Sequence, residues 1–348
     1  MSPPLHRPQP VLTPPALEVD RSRSPARAAE RLLDGDAMVV RDEYGTGLDI
    51  LDGLRALLQP PGDDAAFALR QAFRRRYQDA ARLLLAPVSD HRLALEGVPT
   101  IGFLKLLYPE LSSFGLPYLD VEDLANAWRR YEQGVPMAVL GHPLHPFYGA
   151  YVPTRTTHLE LFGTWISQYA GARERAVDVG TGCGVLALML AKAGFARVLA
   201  TDDSPNAIES VRRELGRLPS PTPVDLLHCD LLTQASGPVD LIVFNPPWTM
   251  GQTDGLLDHA LNFEQGLFER FFEQAVARLS PTGRVVLLFS NIMQLVQPDL
   301  PHPILTELER GRFTLVQKLN RKVKPTPGPD GRTRRTKEKV EVWELALA

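Results

Sequence analysis

Ala176-Val177-Asp178-Val179-Gly180-Thr181-Gly182-Cys183-Gly184 is the stretch that decides how the chain folds. The apolar strand Ala176–Gly180 ends in a turn with glycine at every second position, and the helix-forming run Val185–Ala193, closed by Gly194, follows at once. Gly180, Gly182 and Gly184 permit backbone conformations that side chains forbid. Such a turn lets a ligand approach the main chain closely and points amide groups at it.

Outward from this stretch, strands and helices alternate. Arg197–Thr201 reads as a second strand, and the helix after it has Ser204 as N-cap and Pro205 at its first position. Strands are expected at Val224–Leu227 and Val239–Phe244, a helix from about Leu261 to Leu279, and a strand at Arg284–Phe289. Alternation of this kind implies a parallel sheet covered by helices on both faces. Phe313–Leu319 and Val340–Ala346 are two further strands, joined by a long basic loop into an antiparallel hairpin at the sheet edge. The expectation is a seven-stranded, Rossmann-like α/β sheet.

The apolar run Val239-Asp240-Leu241-Ile242-Val243-Phe244 leads into Asn245-Pro246-Pro247-Trp248. A nitrogen whose lone pair is delocalised into a carbonyl or ring is a poor nucleophile. The Asn245 side-chain oxygen and the Pro246 carbonyl can each accept a hydrogen bond from an NH2 group, drawing its nitrogen toward tetrahedral geometry as positive charge develops. Pro246 and Pro247 stiffen the turn, and Trp248 offers a flat face for stacking. The plain alternative is a strand-ending turn, since Asn-Pro favours turns anywhere.

Together, the glycine turn and Asn245-Pro246-Pro247-Trp248 resemble the class I S-adenosylmethionine-dependent methyltransferases that modify planar nitrogens. Dinucleotide dehydrogenases use a similar turn and a similar acid at the second strand end. The Gly-x-Gly-x-Gly spacing, the leading Asp178, Asp230 after the third strand and Asn-Pro-Pro-Trp after the fourth favour the methyltransferases. That resemblance implies S-adenosylmethionine as cofactor. Asp178, Gly180, Gly182 and Gly184 would line its methionine part, Asp202 its ribose and Asp230 its adenine amine, with Thr181, Asp203 and Leu231 as further cofactor-binding residues. Asn245 would face both cofactor and substrate, and Arg155 would contact the cofactor carboxylate or a substrate phosphate.

Two branches of that group compete. The overall plan, a helical N-terminal domain, a short connector and a catalytic domain ending in Asn-Pro-Pro-aromatic, resembles the release-factor glutamine methyltransferases, most strongly over about residues 150–290. Where that family has Pro-Arg-x-x-Thr-Glu, this chain has Pro153-Thr154-Arg155-Thr156-Thr157-His158, which looks closer to some ribosomal-RNA adenine methyltransferases; Trp248 replaces the usual Tyr. The expected activity is N-methylation of a macromolecular planar nitrogen, with a nucleobase amine of RNA or DNA favoured over a protein glutamine. A small-molecule substrate and a non-catalytic cofactor-binding scaffold are the remaining readings.

Composition supports this scheme. The 348 residues are 44% hydrophobic and 23% charged, ample for two domains with buried cores. No apolar run spans a bilayer and the start lacks a secretory signal, so the chain reads as cytoplasmic, with no membrane partner. Cys183 and Cys229 form no Cys-x-x-Cys pair, and His142, His145 and His158 lack neighbouring Cys or paired acids, so no metal is expected. Cys183 reads as a small packed residue, while Tyr148 and Tyr151 either close over the cofactor or pack the connector.

Residues 1–27, rich in Pro, Arg and Ser, are expected to be disordered. Residues 28–140 read as a helical auxiliary domain from the steps Leu51-Leu54-Leu57-Leu58 and Phe67-Leu69-Phe73-Tyr77. Residues 141–348 form the catalytic domain, with 141–160 as a connector of short strands or a hairpin. Net charge is −3, yet Lys318, Arg321, Lys322, Lys324, Arg332, Arg334, Arg335, Lys337 and Lys339 face only Asp330 and Glu338. This basic loop, 318–339, is the candidate contact for RNA, a ribosome or a translation protein.

Overall fold

The computed structural model describes residues 3–13, 15, 17–62, 67–218, 220–250, 262–324, 326, 327, 333, 334 and 337–348. They divide into two compact units, Arg7–Arg130 and Met1–His6 with Tyr131–Ala348. The larger unit is built from α1 (Thr157–Gln168), β1 (Arg175–Val179), α2 (Val185–Lys192), β2 (Arg197–Asp202), α3 (Pro205–Arg217), β3 (Val224–His228) and β4 (Val239–Phe244). It continues through α4 (Leu267–Arg278), β5 (Leu279–Ser290), α5 (Pro303–Arg310), β6 (Phe313–Lys322) and β7 (Lys339–Leu347).

These seven strands form one sheet in the order β3-β2-β1-β4-β5-β7-β6. The first five are mutually parallel, while β7 runs antiparallel to both β5 and β6. Register carries the functional consequence. Val179 lies opposite Thr201 and Phe244, and His228 opposite Asp202, so four strands end together along one edge. Connections leave β1 toward β2 on one side and reach β4 on the other, which opens a crevice at this switch point.

The run in β4 is continuous rather than alternating because both faces are covered. Leu241 and Val243 pack with Trp165 and Phe162 of α1 and Leu186 and Leu190 of α2. Ile242 and Phe244 pack with Phe268, Phe271 and Phe272 of α4. Each fully buried side chain of this size contributes roughly 1.5–3 kcal/mol. At its start α4 departs from the expectation: it begins at Leu267 after Gly266, whose φ of 88° suits only glycine comfortably. Residues 251–261 lie outside the described ones.

The smaller unit corrects the helical expectation for 28–140. Its helices, among them Pro25–Leu33, Tyr44–Leu58 and Tyr118–Gln133, accompany a five-stranded sheet of Glu18–Val19, Met38–Val40, Leu84–Ser89, Arg92–Leu93 and Ser113–Pro117. Met38–Val40 is buried throughout and Leu84–Ser89 nearly so, and a short buried strand shows no alternation to separate it from helix.

The tail expected to be disordered is also corrected. Val11 exchanges two backbone hydrogen bonds with Gly115, and Glu18–Val19 pairs in parallel with Met38–Val40. The Arg7 guanidinium lies 4.8 Å over the Tyr108 ring, and Tyr108 donates to the Pro8 carbonyl at 2.7 Å. Proline holds such a backbone extended already, so docking it costs less conformational entropy than its composition suggests. The connector contains the expected hairpin, Val135–Met137 against His142–Leu144, starting earlier than residue 141.

Candidate active site

A cavity of about 280 Å3 opens at the shared edge of β1, β2, β3 and β4. Gly180, Thr181, Gly182, Asp202, Asp203, Asp230, Leu231, Asn245 and Pro247 line it, so the register of the sheet brings most of the anticipated residues together. Asp178, Pro246, Trp248 and Arg155 lie outside its wall, and Gly184 sits behind it at the start of α2.

The glycine turn is needed for a close approach. A Cβ on Gly182, at φ 53°, would stand 3.0 Å from the Tyr151 carbonyl oxygen, and one on Gly184, at φ 85°, 2.9 Å from Val211. Its amides are not free, contrary to expectation. Thr181 N–H donates to the Thr201 carbonyl, Gly182 N–H to Asp202 Oδ2, Cys183 N–H to the Tyr151 carbonyl and Gly184 N–H to the Thr181 carbonyl. A pyrophosphate needs unspent amides at such a turn. This cavity offers acceptors instead, which suits a ligand with a positive centre and hydroxyl groups.

Asp202 accepts from Gly182 N–H at 2.8 Å through Oδ2 and from Ser204 N–H at 2.9 Å through Oδ1. Burial pushes its carboxyl up to about 7 against the pull of these two amides. Asp203 is exposed beside it, its carbonyl 2.9 Å from His228 Nε2. Asp230 lies 3.6 Å from the Arg270 guanidinium, and both groups are about half exposed, at 49% and 47%. Leu231 takes a positive φ of 50° to turn from Asp230 into the wall.

Asp178 does not line the methionine end as expected. It is fully buried beneath the turn, where Oδ2 accepts from Thr181 Oγ1 at 2.7 Å and from Ala187 N–H at 2.9 Å. This carboxylate ties the turn to the first turn of α2, and burial pushes it up to about 7. Arg155 is likewise corrected. Its guanidinium stands 3.6 Å from Glu338, a carboxylate only 1% exposed, and a buried acid draws a cation more strongly than open solvent does.

At the end of β4 the Asn245 side-chain oxygen is buried and finds no hydrogen-bond partner among the described residues. A buried unpaired acceptor costs about 1–3 kcal/mol, and this one is left available to a donor. Pro247 lines the cavity and Pro246 is buried behind it. Trp248 is not the expected stacking platform. Its indole packs between the two core clusters, donates to the Leu288 carbonyl at 3.3 Å and meets the buried His158 edge to face.

Cys183 lines the cavity as a buried thiol that burial pushes up to about 12, so it stays protonated at neutral pH. His145 binds the Tyr131 carbonyl and His142 the Pro143 carbonyl; among the described residues no group of three His, Cys, Asp or Glu is placed to hold a metal ion. No described helix is long and apolar enough to cross a membrane. Tyr151 and Gly149 contribute to the cavity wall, while Phe263, Leu267 and Arg270 complete it and were not anticipated. They come from the segment after β4, where no repeating pattern signals a ligand.

Of the basic loop, Lys318 lies 3.8 Å over the Trp343 ring and 2.8 Å from Glu341, and Arg321 lies 3.2 Å from Glu160. Lys322 and Lys324 are exposed, as are Lys337 and Lys339. Arg332 and Arg335, with the side chain of Arg334, lie outside the described residues.

Sheet order, switch-point cavity and glycine turn define a Rossmann-like fold of the class I methyltransferase type. Residues 163–302 match the family model of the methyltransferase small domain. The chain is similar to the ribosomal RNA small subunit methyltransferase C of Chromohalobacter salexigens, 30% identical over 190 residues, which cover 55% of this chain and 50% of that one. It is similar also to the ribosomal protein L11 methyltransferase of Symbiobacterium thermophilum, 30% identical over 177 residues, covering 45% and 56%. A solved ribosomal protein L11 methylase from Lactobacillus delbrueckii subsp. bulgaricus aligns with a TM-score of 0.39 and 22% identity, over 57% of this chain and 81% of that one. The chain spans about half the length of the curated relatives it matches.

Proposed function

We propose that this chain is an S-adenosylmethionine-dependent N-methyltransferase acting on a planar nitrogen of a macromolecule. The observation that carries this reading is the Asn245 oxygen, which has no partner among the described residues and is buried on the same cavity as the glycine turn and Asp202. The cavity fits the cofactor's chemistry: acceptors rather than amides face it, and Asp202 on its wall supports the reading that it takes ribose hydroxyls. S-adenosylmethionine bound there supplies an electrophilic methyl group. Asn245 and the Pro246 carbonyl accept the two N–H groups of the substrate and aim its lone pair into the cavity, and the proton made acidic by methylation passes to solvent.

For the substrate we favour a nucleobase amine of RNA or DNA. The exposed Lys322, Lys324, Lys337 and Lys339, and the likeness to a ribosomal RNA methyltransferase, support it. A protein substrate is the second reading, favoured by the likeness to ribosomal protein L11 methyltransferases and by the pairing of Lys318 and Arg321 within the chain. The test is transfer of tritiated methyl from S-adenosylmethionine by the purified protein into ribosomal fractions, followed by nuclease or protease. Label released by nuclease and diminished by raised salt supports the base; label released only by protease assigns a protein target. Absence of macromolecular label would overturn both.

A further inference from the structure

Helix α3 carries a buried polar row where an apolar stripe is ordinary. Asn206, Ser210 and Glu214 follow one another at four-residue steps and are 0%, 1% and 4% exposed. Among the described residues the partners of all three are backbone groups. Each holds the backbone of the segment that leads to the cavity: Glu214 Oε2 accepts from His145 N–H at 3.1 Å, Ser210 Oγ from Phe147 N–H at 3.0 Å, and Asn206 Nδ2 donates to the Tyr148 carbonyl at 2.8 Å.

The held segment continues directly into Gly149, Tyr151 and Pro153 of the cavity wall, where the Tyr151 carbonyl accepts from Cys183 N–H at 3.0 Å. Thus this rim is fastened at one end to α3 and at the other to the glycine turn. Asn206 has a second engagement. Its Oδ1 accepts from His6 N–H at 2.7 Å, and its Nδ2 donates to the His6 carbonyl at 2.8 Å, the paired pattern of a strand neighbour. On the cavity side, Ser204, the N-cap of α3, and Ala207, the residue after Asn206, also line the wall.

We infer that Asn206 is a positioning residue of the cavity, and that the His6 backbone locks it, so that this strap governs how firmly the Gly149–Pro153 rim closes over the ligand. An amide with three bonds made is oriented; with the His6 bonds lost, it is free to turn and its hold on Tyr148 weakens. The inference rests on the reading of the cavity as a cofactor site.

Proline at position 6 removes the donated N–H together with the imidazole, fixes the local φ and keeps the carbonyl, while alanine removes the imidazole alone and keeps the N–H. We expect His6→Pro to raise both the dissociation constant and the release rate of S-adenosylhomocysteine roughly tenfold, the effect of a buried acceptor left unpaired. His6→Ala should match the wild type, and both melting temperatures should stay within about 2 °C of it. Asn206→Asp, which keeps the acceptor and loses both donated bonds, should weaken binding further. Equal affinities for wild type and His6→Pro would overturn the strap, as would equal losses in His6→Pro and His6→Ala. A melting temperature lowered with affinity intact would leave only a structural contact and overturn it too. Wild-type protein that binds no S-adenosylhomocysteine would instead refute the cofactor reading and the strap with it.

Discussion

The imidazole of His158 meets the indole of Trp248 edge to face, with ring centroids 5.2 Å apart and planes at 87°. Both imidazole nitrogens are buried with no hydrogen-bond partner among the described residues, and burial holds the ring neutral by lowering its pKa to about 4. With the indole N–H on the Leu288 carbonyl, Trp248 is fixed from behind and anchors the turn that carries Asn245.

This burial gives His158 an acid signature. Its pKa is about 4 folded against 6.5 unfolded, so its share of stability is complete above pH 6.5 and is lost as pH falls toward 4. We expect His158→Phe, which keeps a ring against Trp248, to flatten the decline in melting temperature between pH 6.5 and 4, a span worth on the order of 3 kcal/mol. Thermal melts across that range check it; an undiminished decline would place the acid sensitivity elsewhere.

Asn245→Ala removes the acceptor and leaves the rest of the cavity wall. Turnover should fall about 10²–10³-fold, in line with the loss of one oriented hydrogen-bonding group at a transition state. Affinity for S-adenosylhomocysteine should change by less than about twofold, since the lost acceptor serves the substrate. Calorimetry beside single-turnover methyl transfer separates the two quantities.

In the proposed function ribose hydroxyls would donate to an ionised Asp202, whose carboxyl burial pushes up to about 7. Binding therefore releases a proton, and affinity for S-adenosylhomocysteine should rise with pH through 7 and level off above it, with roughly a tenfold difference between pH 6 and 8. The same raised pKa makes folding stability from this group fall as pH climbs from about 4 to 7, where the folded state holds the extra proton. Titration calorimetry in buffers of different ionisation enthalpy counts the proton; none released would rule out Asp202 as the ribose acceptor.

Asp178 ties the turn to α2 through one hydroxyl and one amide. Asp178→Asn retains an acceptor oxygen and should stay within about 1 kcal/mol of the wild type, whereas Asp178→Ala orphans the Ala187 N–H and should cost roughly 2–3 kcal/mol. Denaturant melts decide between this and a ligand-contacting role, in which both variants would lose cofactor affinity alike at unchanged stability.

The sheet was legible because its signals are local. Val239–Phe244 is apolar at every position except Asp240, as a strand covered on both faces must be, and Ser204-Pro205 supplies an N-cap and a first-turn proline to the helix that follows it. Ser204 Oγ indeed accepts from Ala207 N–H. Met38–Val40 and Leu84–Ser89 were illegible by the same logic, being too short and too uniformly buried to display a period.

Site residues divide along a similar line. That Gly182 and Asn245 belong to one cavity follows from each standing at the end of a parallel strand, a property of local sequence and strand order. Which of their atoms remain free does not. The turn's amides are consumed by Thr201, Asp202 and Tyr151, Arg155 is drawn to Glu338, and Trp248 is turned inward by His158 and Leu288. Element type and motif depend on neighbours a few residues away and are written in the chain; hydrogen-bond capacity is spent among groups distant in sequence, and only their meeting in the folded core decides what is left to bind.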